Sequence, residues 1–321
     1  MTKSATLYFH YPCFDGLVSG VLAWEFLERH EGWRITEFCP ANYKMRSHWL
    51  QDKLEKPCAI VDFLYHPRAG FWADHHQTPF LTAAAKANFQ KRRGKNYLLF
   101  DDRAPACATL LYRHFKRSLT HKPHFQEMVD WAEKIDSAGY TSVEEAILGD
   151  APALRISRSL LLEEEENGPG YAYFLLQQMR AHDLSYVAGL RQVAQREKRA
   201  RSTLQRGLKK AKAAARIEPG DIVVMDVRKN HRQMISRYAP YHVAPQARYS
   251  IGIVRSPEGI GITAMRNPWR NFKSVALGRI FEKFGGGGHQ RVGAVRLSSD
   301  QSKLVKTVVE SLLSKMQGPA R

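Results

Sequence analysis

The chain has 321 residues, 44% hydrophobic and 25% charged, the balance of a soluble globular protein long enough to build two cores. No apolar run approaches the ~20 residues that cross a bilayer, and the first ten residues pass into strand-like alternation without a signal-peptide core, so a cytoplasmic protein with no membrane partner is expected. Lys and Arg number 49 against 31 Asp and Glu, and this excess of 18 favours a polyanionic partner, nucleic acid first and an acidic membrane surface second.

In chain order, residues 5–10 read as a strand and 16–30 as a helix whose apolar face carries Leu17, Val18, Val21, Leu22, Trp24, Phe26 and Leu27. Residues 33–39 alternate, 57–63 form a continuous apolar run, and 71–73 a shorter one. Strand, helix, strand and then further buried strands predict a mostly parallel α/β sheet, with its chemistry at the carboxyl ends of the strands. After a basic loop at 91–95 come a strand at 97–100, a helix at 105–116, and a helical region from 123 to about 179. The acidic run at 163–166 and the Asn-Gly-Pro-Gly at 167–170 read as a solvent-facing helix end and loop.

Residues 184–216 predict one long helix of ~30 residues and ~45 Å, with an apolar seam at Val187, Leu190, Val193, Ala194, Ala200, Leu204, Leu208, Ala211 and Ala215. Residues 191–216 hold ten Lys or Arg and one Glu, half of the net excess. That basic face is either an ordinary solvated surface or one wall of a nucleic-acid groove. Pro219-Gly220 marks a change of domain; beyond it strands at 221–227, 247–254 and 259–265, a helix at 271–284, a strand at 292–297 and a helix at 301–316 predict a smaller α/β domain. The division is 1–183, a basic linking helix at 184–217, and 218–321.

Chemistry-bearing side chains fall at the predicted strand ends: His10 with Cys13 and Asp15, Asp62, and Asp74-His75-His76. Successive side chains at a strand exit point to opposite sides, so one imidazole of the pair can bind a metal while the other faces a substrate. Asp136, an acid after an apolar helical stripe, is a fourth candidate. Two divalent ions about 3.5–4 Å apart need one bridging carboxylate and several terminal ligands, and can then activate water for in-line attack on phosphorus. Any one of these residues alone would be read as structural; their shared position at strand ends points to a site. Cys13, Cys39, Cys58 and Cys107 include no CxxC pair, which argues against a disulfide framework and a structural zinc site.

His10-Tyr-Pro-Cys13-Phe-Asp15-Gly16, Val61-Asp62, Asp74-His75-His76 and Ile135-Asp136, in that order, resemble the DHH phosphoesterase superfamily. At the other end, Gly285-Gly286-Gly287-Gly288-His289-Gln290-Arg291 is similar to the GGGH signature of its DHH-associated C-terminal domain, and Arg266 falls where that family has a substrate-binding arginine. The resemblance covers nearly the whole chain. It implies two metals, usually manganese, with Asp62 bridging, His10 on one ion, and Asp15, His75 and Asp136 on the other. Asp74 would orient the histidines, and His76 would contact the scissile phosphate or assist the leaving group.

Cys13 departs from the aspartate that many family members have as a ligand. A thiolate suits zinc or iron better than manganese or magnesium, so the first metal is held more weakly, or is a different metal, or Cys13 does not coordinate. The four glycines, Gly285 to Gly288, can bring backbone N–H groups close to a phosphate or act as a hinge, with His289, Arg291 and Arg266 adding charge-assisted bonds. Trp269 would pack or stack a base. The expectation is a two-lobed metal-dependent phosphodiesterase, exonuclease-like, acting on short oligonucleotides or single-stranded nucleic acid. The alternatives are a phosphatase or phosphodiesterase of small nucleotides, such as cyclic dinucleotides or 3′-phosphoadenosine 5′-phosphate, and a nucleic-acid-binding protein that has lost catalysis.

Overall fold

The computed structural model describes residues 3–54, 57–94, 97–165, 168–230, 235–256 and 259–318. The chain divides into two compact units, Met1–Gly139 with Asp150–Ala200 and Tyr140–Gly149 with Arg201–Arg321. Among the described residues no helix is long and apolar enough to cross a membrane.

The first unit begins β1 (Lys3–His10), α1 (Phe14–His30), β2 (Trp33–Ala41), β3 (Cys58–Val61), β4 (Phe71–Asp74), α2 (Ala83–Arg92), β5 (Tyr97–Phe100), α3 (Cys107–Leu119) and α4 (His124–Asp136). After α5 (Val143–Leu148), which belongs to the second unit, it continues through α6 (Pro152–Ser159), α7 (Gly168–Ala181), α8 (Leu184–Gly189) and the first half of α9 (Arg191–Ala214). Its five strands are all parallel, in the order β2-β1-β3-β4-β5. From β1 the chain moves outward to β2, then returns to place β3 on the other side of β1. That reversal opens a crevice beyond the carboxyl ends of β1 and β3, where open parallel sheets bind ligands.

Every residue of α1 from Phe14 to Leu27 is buried, as expected for a helix apolar on nearly all sides, and it packs against α3, α4 and α7. Glu25, a buried acid in this helix, accepts hydrogen bonds from Arg180 Nε (2.7 Å) and His121 Nε2 (2.8 Å). A buried carboxylate without such partners would cost several kcal/mol.

The second unit adds β6 (Ala215–Glu218), β7 (Ile222–Asp226), α10 (Ala239–Val243), β8 (Tyr249–Ser256), β9 (Gly259–Arg266), α11 (Leu277–Glu282), β10 (Gly287–Gly288), β11 (Val292–Leu297) and α12 (Leu304–Gln317). Its sheet runs β10-β11-β9-β8-β7-β6, antiparallel except for β7 with β8. Ile222, Tyr249, Ile251, Ile262, Phe281, Val295 and Leu312 form its core. This α/β architecture of a parallel sheet and a second, mixed sheet is the expected class.

Several elements differ from the sequence reading. The stretch at 184–216 is two helices and a strand, because Gly189 ends α8 and Leu190 is extended at φ −59, ψ 135. Residues 271–276 are not helical: Phe272 O accepts from Arg266 (3.0 Å) and Val275 N donates to the Tyr249 hydroxyl (3.0 Å), tertiary bonds that take the place of helical ones. Lys91 and Arg92 lie in the last turn of α2 rather than in a loop; Thr82 Oγ1 caps that helix by accepting from Ala85 N (3.1 Å). The predicted loop at 167–170 is helical from Gly168 onward, while residues 166 and 167 and the side chains of 163–165 lie outside those described.

The Glu25 network yields a stability prediction. Burial pushes the Glu25 carboxyl up, but Arg180 and His121 outweigh this and hold it below the usual range. Its stabilisation is therefore complete above its unfolded pKa of ~4.3 and lost as pH falls through the lower folded value. Glu25→Gln should cost about 1.5–3 kcal/mol at pH 7, with the gap to the parent closing below pH ~4, as measured by urea unfolding across pH.

Candidate metal centre

The crevice at the end of β1 and β3 collects all of the first-unit candidates. His10 ends β1, Cys13 is the N-cap of α1 at φ −139, ψ 137, and Asp15 lies in the first turn of that helix. Gly16 makes this approach feasible, since a Cβ there would lie 2.0 Å from the His10 carbonyl oxygen. Asp62 follows β3 with φ +56, a left-handed conformation costly for a residue with a Cβ. Its N–H donates to Ala73 O (2.9 Å), which fixes the turn. Asp74 ends β4, with His75 and His76 just beyond it.

Asp136 is the last residue of α4. The helix stops there because Ala138 takes the left-handed position of a Schellman motif, with Ala138 N donating to Ile135 O (3.3 Å) and Gly139 N to Lys134 O (2.8 Å). A carboxylate at a helix C-terminus opposes the helix dipole, so this placement does not serve the stability of α4.

The two oxygens of Asp62 face different partners: Oδ2 lies 3.2 Å from His10 Nδ1, and Oδ1 lies 3.5 Å from His75 Nε2. His75 Nε2 is also 3.7 Å from Asp15 Oδ2 and 3.5 Å from Asp136 Oδ2. His10, Cys13 and Asp62 form one set whose donor atoms lie within 4.8 Å of one another, and Asp15, His75 and Asp136 form another. The carboxylate between the sets is 1% exposed, and among the described residues no hydrogen-bond donor reaches its Oδ1. A buried anionic oxygen so placed fits a cation.

Backbone groups orient the rest. His75 Nδ1 donates to Ala104 O (3.0 Å), which turns Nε2 toward the three carboxylates. Asp74 Oδ1 accepts from His75 N (2.9 Å) and from His76 Nδ1 (2.7 Å). Both Asp15 oxygens receive N–H groups from the first turn of α3, Cys107 N at 2.7 Å and Ala108 N at 2.9 Å, and Ser19 Oγ donates at 3.3 Å. The sequence reading assigns no site role to Ala104, Cys107, Ala108 or Ser19. Three act through the main chain and leave no residue-type signal; only Ser19, one helical turn after Asp15, could have been read locally.

The charges are strongly coupled. Burial and the neighbouring Asp62 and Asp136 push the Asp15 carboxyl up to about 7, against the pull of His75 and Ala108 N–H. Burial acts likewise on Asp62, but the hydrogen bond and charge of His10 and the nearby His76 and His75 hold it below the usual range. Burial would lower His75, yet Asp136, Asp15, Asp62 and Asp74 raise it to about 9. His10 and His76 are raised against burial by Asp62 and Asp74 respectively.

The second-unit candidates form their own arrangement. Arg266 is 8% exposed; its guanidinium donates to Asn267 O (3.1 Å) and Phe272 O (3.0 Å) and lies over the Phe272 ring. Burial and the charge of Arg291 lower its pKa, and Arg266 N donates to Arg291 O (2.8 Å). In the glycine run, Gly285 (φ +77) and Gly288 (φ +143) need positive φ, and a Cβ at Gly286 would lie 2.2 Å from Ala294 O. Gly285 N, Gly286 N and His289 N donate to Glu282 O, Phe281 O and Val292 O, while Gly287 and Gly288 pair with Ala294 and Gly293. The run is thus a close-packed turn against β11. Trp269 donates its Nε1 to Tyr140 O (2.9 Å) and packs edge-on against Tyr238 and Tyr241.

No protein-family model matches the chain, and no curated protein matches it in sequence. Solved structures do match. The pGpG-specific phosphodiesterase PggH from Vibrio cholerae superposes with a TM-score of 0.68 at 17% identity, over 98% of this chain and 99% of that one. RecJ from Thermus thermophilus in complex with Mn2+ gives 0.57 at 13%, over 99% of this chain and 53% of that one. A manganese-bound exonuclease RecJ gives 0.52 at 13%, over 99% and 91%. The TM-scores show a shared fold, of the α/β class expected from the sequence.

Relieving the crowding of carboxylates separates stability from metal binding. Asp136→Asn should raise the melting temperature in chelator by the equivalent of about 0.3–1 kcal/mol. It should also shrink the stabilisation by added Mn2+, which for an intact site reaches about 2.7 kcal/mol at 100 times Kd. Differential scanning fluorimetry with and without metal reads both.

Proposed function

We propose that the chain is a metal-dependent phosphodiesterase that hydrolyses short oligonucleotides or single-stranded nucleic acid at a dinuclear centre. The observation that carries this reading is Asp62, whose two oxygens face two separate donor sets. His10, Cys13 and Asp62 would hold one divalent ion, and Asp62, Asp15, His75 and Asp136 the other, with manganese as the working ion and magnesium, zinc or iron(II) as alternatives. Bound ions would supply Lewis acidity and an activated water.

The chain's own groups then have separate tasks. Asp74 holds His76 Nδ1, so His76 would meet a phosphate oxygen or the leaving oxygen through Nε2. Ala104 O and the α3 amides hold His75 and Asp15 in their orientations before substrate arrives. Arg266, the glycine run at Gly285–Gly288, His289 and Arg291 would hold the substrate's terminal nucleotide in the second unit.

Two observations bear on substrate length. The likeness to PggH, named for pGpG, extends over 99% of that chain and supports a substrate of a few nucleotides, while the likeness to a manganese-bound exonuclease RecJ extends over 91% of its chain and supports a strand. On α9, Lys198, Arg199, Arg206, Lys209, Lys210 and Lys212 are exposed, and such a cationic row supports a longer single strand. Arg196 and Arg201 do not belong to it, since they donate to Ser159 O (3.1 Å) and Leu148 O (3.0 Å).

Asp62→Ala should lower Mn2+-dependent hydrolysis of a labelled dinucleotide by roughly 10²–10³-fold or more while leaving the circular dichroism spectrum unchanged. Turnover that persists at parental level in chelator would overturn the metal reading. Replacing Arg206, Lys209 and Lys210 with Ala should reduce kcat/KM for a ten-nucleotide strand at low salt, flatten its salt dependence by ~0.7 in slope per lost contact, and spare the dinucleotide. An unchanged decamer rate would assign α9 to the solvated surface.

A further inference from the structure

We infer that the two metal positions are chemically unequal, and that Cys13 ligates the first through its thiolate and makes that position select a softer ion, zinc or iron(II), over manganese or magnesium. The inference rests on the dinuclear reading of the same site and goes beyond it.

The two donor sets differ in one element. Asp15, His75 and Asp136 offer two carboxylates and an imidazole, while His10, Cys13 and Asp62 offer an imidazole, a carboxylate and a sulfur, all within 4.8 Å of one another. Asp62 is common to both positions, so it does not distinguish them. Thiolate favours zinc and iron(II), and hard oxygen favours manganese and magnesium; apart from the shared Asp62, the first position offers an imidazole and a sulfur and the second an imidazole and two carboxylates.

Two of the three other thiols have different surroundings. Cys58 and Cys107 are buried and donate to the carbonyls of Arg68 (3.6 Å) and Ala73 (3.3 Å). Among the described residues Cys13 alone shares a cluster with an imidazole and a carboxylate. It is also the N-cap of α1, and its side chain caps none of that helix's amides. The sulfur thus sits at the N-terminus of a 17-residue helix; burial raises its thiol pKa, so the proton leaves only as a cation binds. Asp62, 1% exposed, turns Oδ2 toward this cluster, 3.2 Å from His10 Nδ1, while its Oδ1 faces the other donor set. On binding, the sulfur–metal bond forms as the thiol proton passes to solvent, with no change of oxidation state.

Cobalt(II) tests this directly, because a thiolate ligand adds a near-ultraviolet charge-transfer band that oxygen and nitrogen ligands do not. Metal-free parent protein should take up two equivalents of Co2+, one of which produces the band; Cys13→Ser should bind Co2+ without it. By calorimetric competition, Cys13→Asp should reduce the preference for Zn2+ over Mn2+ at one position by about tenfold or more, with the other position unchanged. Circular dichroism checks that both variants fold, and the parent spectrum needs no variant. Two bound Co2+ ions with no charge-transfer band in the parent, or an unaltered preference in Cys13→Asp, would overturn thiolate ligation while sparing the dinuclear reading. Fewer than two bound ions in the parent would overturn both.

Discussion

The structure of the first unit turns on one buried carboxylate. Asp62 sits between His10 and His75 with an oxygen toward each, and it does so in a left-handed backbone conformation that an aspartate adopts only at some cost. That position exists because β1 and β3 pair side by side while the chain between them travels outward through β2 and back. Without the reversal, the loop after β3 would have no open edge of sheet above it, and Asp62 and His10 would not share a crevice.

Much around this carboxylate runs against stability. Asp15, Asp62 and Asp136 crowd one imidazole, Asp136 lies at the wrong end of a helix dipole, and Ala138 occupies a left-handed position that glycine would fill more easily. The offset lies behind the site. Helix α1 is buried over fourteen consecutive residues, each large apolar side chain there contributing about 1.5–3 kcal/mol, and Glu25 within it is held by Arg180 and His121. A stiff apolar helix whose first turn carries Cys13 and Asp15 lets a strained cluster persist.

The second unit makes a different use of backbone. Its glycines at 285–288 fit against β11 so closely that a Cβ at Gly286 or Gly288 would strike a carbonyl, and Arg266 is anchored on the carbonyls of Asn267 and Phe272. The same tertiary bonds explain why residues 271–276 are not helical. Substrate contact by Arg266 or the glycine turn would therefore come from groups whose geometry is already set by packing.

The donor residues themselves were legible in the linear chain: imidazoles, carboxylates and a thiol at the ends of apolar runs announce metal chemistry through residue type, and period alone located most strands and α1. Sequence also marked Cys13 as the odd member among the candidate donors. What only the tertiary structure decided is how close the donor side chains come to one another, because that depends on strand order, on Gly16 admitting α1 against β1, and on a left-handed turn at Asp62. It also decided the roles of Ala104 O, Cys107 N and Ala108 N. Main-chain groups are the same at every position, so no residue type distinguishes them; only the folded path of the chain selects the ones that orient a histidine or an aspartate.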